Sequence, residues 1–83
     1  MLMKVVSVRD AKVETFSQPF FYVTVGQAIR AFADEVSRDG SDFAKHPEDF
    51  ALFLLGVYDD QKGSFTSLPQ PEQIALALDH VKV

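Results

Sequence analysis

Eight Phe and two Tyr, set among eight Lys or Arg, are the side chains of this 83-residue sequence whose types and spacing suggest chemistry. The chemistry they suggest is stacking rather than bond making. Phe20, Phe21 and Tyr22 are consecutive, and Tyr58 and Phe65 stand on either side of a glycine-containing turn. In an extended chain successive side chains point to opposite faces, so such a set cannot all be core. A sheet face carrying Phe20, Tyr22 and Tyr58, flanked by Lys4, Arg9, Lys12 and Lys62, would let unpaired nucleobases stack while the cations hold phosphate. The same rings at strand spacing also suit a core or an interface between copies, with the bases as a solvated rim.

Covalent chemistry has less support. A nucleophile needs a base within reach and a group that orients the base, and His46 and His80 stand among Ser and Asp with no recognisable elbow or loop. His46 before Pro47 reads as a helix-start residue, and His80 as a cation at the negative end of a helix. Asp10 and the pair Asp59-Asp60 offer oxygen to a metal, yet Asp in hairpin turns is ordinary turn chemistry. Gly26, Gly40, Gly56 and Gly63 stand alone, without the clustering that cradles phosphate, and the absence of cysteine removes thiolate ligands and disulfides. The sequence therefore predicts no catalytic residue, no metal site, no cofactor and no enzyme.

Charge opposes the simplest nucleic-acid reading. Twelve acids against eight bases give a formal charge of −4, whereas a basic domain is the usual footprint of phosphate binding. Any such site must be local, with acids gathered on a helix and in 42–60 and bases near the hairpin ends. No run reaches the length of a membrane span and the first residues lack the pattern of a signal peptide, so the chain is expected to be soluble and intracellular. At this length one domain over 1–83 is expected, and association of copies would help so small a core.

The elements that must position these groups follow from patterning. Met3 to Arg9 is β-branched and reads as a strand, with a turn at Asp10–Lys12 and a further strand ending in Phe20–Val23, entered or edged at Pro19. Thr24 and Gln27 form a capping box, Val23 and Ala28 a hydrophobic staple, and Gly40 a C-terminal cap around a helix over 25–39 whose buried stripe is Ile29, Phe32, Ala33 and Val36. Residues 41–45 read as a connector and 46–49 as a short helical turn. A central strand over 51–58, a bulged turn at 59–63 and a partner over 64–68 follow, with Pro69-Gln70-Pro71 ending the hairpin. Ile74, Leu78 and Val81 fit a short helix over 72–81 started by Pro71, with strand alternation as the alternative.

The two halves echo each other. Val6 to Asp10 through Thr15-Phe16 has the spacing of Leu55 to Asp59 through Ser64-Phe65, and Ile29, Asp34 and Val36 find counterparts in Ile74, Asp79 and Val81. The expected architecture is α+β in ββαββα order, a four-stranded antiparallel sheet with two helices on one face. Its other face is left to water, a second copy or a ligand.

Taken along its length the sequence resembles the small nonstructural protein of gokushoviruses, single-stranded DNA phages of the Microviridae. The residues that carry this are Val8 and Asp10, Gln18-Pro19-Phe20-Phe21, Ala28 to Phe32, Phe43, Lys45 to Phe50, Leu52-Phe53, Leu55-Gly56, Tyr58-Asp59-Asp60 and Gly63. The resemblance implies a phage protein absent from the virion, in the cytoplasm of the infected host, that binds single-stranded DNA in the switch to genome synthesis and packaging. It carries no catalytic residue. The alternative is an interaction or assembly module that oligomerises, or docks on a phage replication or capsid protein, through the same sheet face.

Overall fold

The computed structural model describes residues 1–81. Strand β1 (Leu2–Asp10) turns into β2 (Thr15–Phe16) and, after Ser17–Pro19, β3 (Phe20–Tyr22). Helix α1 (Val25–Ser37) and the one-turn helix α2 (Asp42–Lys45) come next, then a 3₁₀ turn at Pro47–Asp49, the long hairpin β4 (Phe50–Asp59) and β5 (Ser64–Leu76), and a closing 3₁₀ turn at Ala77–His80. The sheet is antiparallel in the order β2-β1-β4-β5, with β3 also paired to β1.

The mixed α/β character and antiparallel sheet agree with the sequence, and the strand count does not. There are five strands rather than four, because the chain leaves β1 at Ser17 and rejoins it at Phe20. Ser17 fills the gap itself. Its N–H donates to the Val8 carbonyl at 2.8 Å, and its Oγ accepts from the Val8 N–H at 3.1 Å, replacing a ladder bond. Buried Ser7 donates its Oγ to the Ser17 carbonyl at 2.7 Å. Pro19, which has no N–H to give, sits where no ladder bond is needed.

The second departure is at the C-terminal end, where the expected helix over 72–81 is absent. Pro69 and Pro71 do not end the strand. Leu54 pairs with Glu72 and Gly56 with Ser67, so Leu68–Pro71 bow out opposite the single residue Leu55. In that bow neither proline owes a ladder bond, and the chain resumes pairing at Glu72 to place Ile74 and Ala75 on the core. A short isolated helix is marginal in water, while five residues added to an existing sheet gain both pairing and burial. His80 therefore closes a 3₁₀ turn, with its ring edge-on to Phe32 at 6.4 Å, rather than a longer helix.

Helix α1 forms as the sequence predicts and stops two residues sooner, at Ser37. Thr24 Oγ1 accepts from the Gln27 N–H at 3.1 Å, and Gln27 Oε1 accepts from the Val23 N–H at 3.2 Å, one residue before the position a capping box usually serves. The buried stripe is Ala28, Phe32 and Val36, with Ile29 half-buried beside it. The predicted connector contains α2, capped by Ser41 Oγ accepting from the Ala44 N–H at 3.0 Å. These helices cover one side of the sheet, where Val6, Val8, Leu52 and Ala77 complete the core.

Half of the internal repeat is real. Asp10 Oδ1 accepts from the N–H of Lys12, and Asp59 Oδ1 from that of Gln61, two residues on in each hairpin. Glu14 and Gly63 both take positive φ, 56° and 67°, just before the returning strand. The matched hairpins have their turns at opposite ends of the central β1–β4 ladder, since Asp10 pairs with Phe50 and Asp59 with Leu2. The repeat fails after them, where α1 has no counterpart.

Candidate functional site

Alternation along the strands divides the side chains cleanly. Val6, Val8, Leu52 and Leu54 turn toward the helices, and so Val5, Ser7, Arg9 and Phe53 turn away. A bulge then changes the count on β4. Val5 pairs with Gly56 and Val6 with Leu54, leaving Leu55 without a partner on β1. Because of this surplus residue Tyr58, five positions after Phe53, lies on the same helix-free face rather than the opposite one.

That face is aromatic. Tyr58 and Phe65 pair across β4 and β5 with ring centroids 4.7 Å apart, and Phe21 joins them from β3 at 5.5 and 6.2 Å. Further along β1, Phe16 and Phe53 meet edge-on at 5.4 Å, with the Arg9 guanidinium carbon 6.0 Å from the Phe16 centroid. Phe65 is 62 % exposed, Phe21 40 % and Phe16 39 %, so the rings pack together and still present area to solvent. Three rings in one cluster and two in another, open on one side, form a surface that receives flat partners.

Charge is distributed with the same asymmetry. The helix-free positions of β1, β4 and β5 carry Arg9 and, among the described residues, no acid. The acids sit in turns (Glu14, Asp39, Asp60), in the 3₁₀ turns (Glu48, Asp49, Asp79), on α1 and α2 (Asp34, Glu35, Asp42), or at strand positions of the other parity (Asp10, Asp59, Glu72). Just past the end of α1, Arg38 donates from Nε to Glu35 Oε2 at 3.1 Å. That hydrogen bond and the attraction between the charges hold the Glu35 carboxyl below its usual range and push the exposed Arg38 up.

The seven residues singled out from sequence are not one cluster. Arg9 and Tyr58 lie on the aromatic face. Lys4, Phe20 and Tyr22 do not: they occupy positions paired with or matching Val6 and point to the helix-bearing side. Tyr22 packs on the core, and Phe20 borders a half-open cavity of about 320 Å³ against Phe32, Phe43 and Glu35. Lys12 and Lys62 belong to the two hairpin turns, at opposite ends of β1, a separation of about 27 Å at the usual strand rise. Phe16, Phe21, Phe53 and Phe65 take the places assigned to Phe20 and Tyr22. The available signal was the register of Phe21 between two rings of opposite parity. Phe53 gave none, since an unbroken apolar run has no visible alternation.

The metal-binding reading of the turn acids has a plainer structural account, because Asp10 and Asp59 each hold their own turn. His46, Glu48 and Asp49, before β4, bring one donor atom each to within 4.8 Å of one another, an arrangement that exposed acidic turns commonly reach without an ion. No helix among the described residues is long and apolar enough to cross a membrane.

A family model described as Phage ORF5 protein matches residues 3–80. No curated protein and no solved structure matches the chain.

Proposed function

The chain belongs to the phage ORF5 protein family, and from that premise we propose that it is a non-enzymatic phage accessory protein that binds single-stranded DNA through its helix-free sheet face. The observation that carries this reading is the segregation of charge from rings: five aromatic side chains and Arg9 share a face on which no acid stands among the described residues. Net charge of −4 therefore describes the rest of the surface and not this one. Base stacking on exposed rings is tolerant of sequence, which suits a protein that covers a genome rather than reads it. The resemblance to gokushovirus nonstructural proteins gives the setting, the cytoplasm of an infected bacterium during the switch to genome synthesis and packaging, outside the virion.

Fluorescence anisotropy of a labelled oligonucleotide at about 50 and 200 mM salt tests it. With about three cations in reach of phosphate, affinity should fall by an order of magnitude between those salts, since each neutralised phosphate contributes about −0.7 to the logarithmic slope on single strands. Absence of binding at micromolar protein overturns the reading.

A second reading has its own support. Lys12 and Lys62 each share a turn with acids, Asp10 and Glu14 at one end and Asp59 and Asp60 at the other, so the field over the face is weak. A neutral aromatic face also suits a second copy or a phage replication or capsid protein. Sedimentation separates the two: a tight dimer that buries Phe21 and Phe65 leaves no room for bases.

A further inference from the structure

The matched hairpins place equivalent pairs at the two ends of the aromatic face. Arg9 stands opposite Phe16 in the β1–β2 ladder, and Tyr58 stands opposite Phe65 in the β4–β5 ladder, each pair one ladder step in from its turn. The first is a cation beside a ring and the second a ring beside a ring. Between the two stations lie Phe21, paired to Val5, and Phe53, paired to Ser7, while Val5 and Ser7 are themselves buried. From Met3, which pairs with Tyr58, to Arg9, which pairs with Phe16, β1 covers about 20 Å.

We infer that one single-stranded DNA segment of about four nucleotides lies along β1 and stacks on both stations at once, a length at the lower end of site sizes for small single-strand-binding folds. This rests on the DNA-binding reading and adds the path and the length. Lys12 extends the strand's track past Phe16, and Lys62 extends it past Phe65, so the two turn lysines serve the phosphates at the two exits. The stations are related by the antiparallel β1–β4 pair and therefore face a passing strand in opposite senses. Recognition is then by ring area, without preference for strand polarity or base order.

The test is a length series of oligothymidylates from two to twelve nucleotides, measured by anisotropy against the full chain and against Phe16→Leu and Phe65→Leu. These variants keep apolar bulk and remove the ring, and a melting curve for each confirms that it folds. The expected result is a rise in affinity of about tenfold or more between two and four or five nucleotides, followed by a plateau. Either variant should lower affinity for the six-mer about fivefold or more while leaving the two-mer changed by one variant only. An even rise through eight to twelve nucleotides, or a folded Phe16→Leu chain that binds the six-mer as the parent does, overturns the path while the DNA-binding reading stands. Failure to bind any length overturns both.

Discussion

Tyr58 and Phe65 face each other across β4 and β5 with their rings 4.7 Å apart, on the side of the sheet that carries no helix. The sequence has two tyrosines and no tryptophan, so a Tyr22→Phe variant leaves Tyr58 as the emitter at this station. Added oligonucleotide should quench its fluorescence, and Phe65→Ala in that background should weaken binding by about 1–3 kcal/mol, the usual worth of one base stacked on a ring. Unchanged Tyr58 emission at saturating oligonucleotide would place the contact elsewhere.

The positive φ of 56° at Glu14 is a conformation that Gly63 adopts without cost in the matched turn. Glu14→Gly should therefore raise stability by about 1 kcal/mol and Gly63→Ala should lower it by a similar amount. For a domain of this size each corresponds to a melting shift of about 4–8 °C, read by circular dichroism. Equal and negligible shifts in both variants would show that the turns are not strained.

At Gly56 the backbone of β5 comes close. A methyl group there would meet the Thr66 carbonyl oxygen and lie 2.9 Å from Ser67 Cα. Both are main-chain atoms that cannot swing aside. Gly56→Ala should cost about 1–3 kcal/mol by forcing the edge strand outward. A denaturant midpoint matching the parent would mean that β5 moves away freely.

Phe32 is 4 % exposed and joins α1 to Phe43, to the His80 ring and to the core strands. Phe32→Ala should remove about 3–5 kcal/mol, comparable to the whole stability of a small domain. Chemical denaturation at low temperature measures it, and a loss under about 1 kcal/mol would show that the neighbouring cavity lets the core close around the gap.

How far the sequence spoke depended on whether a pattern was local. Helix α1 was legible because Thr24, Gln27 and the Ala28–Phe32–Val36 stripe sit within a few turns of one another. The Asp10 and Asp59 turns were legible for the same reason, each being held by its own aspartate. The strand over 72–76 was not, because Pro69 and Pro71 read as a stop unless the bow opposite Leu55 is known, and that bow depends on the partner strand. The candidate face suffered most from this. Phe20 and Tyr22 look equivalent to Phe21 until β1 assigns their sides, and Tyr58 changes side through a residue whose own type gives no warning.

Leu55 sets which side of the sheet the outer half of β4 shows. It contributes one surplus position to β4, and everything beyond it shows the reverse of the side that simple alternation would give. Pairing β4 without that bulge, with Leu55 taken into the ladder, would carry Tyr58 under the helices and bring Val57 and the carboxylate of Asp59 out among the rings, with no residue altered. Surface identity in this sheet is thus written in strand register as well as in residue type. Losing the bulge is then a more drastic event for this chain than most substitutions, since it sets a carboxylate among the rings in a single step, whereas a chain lacking Leu55 keeps the same pairs and the same faces.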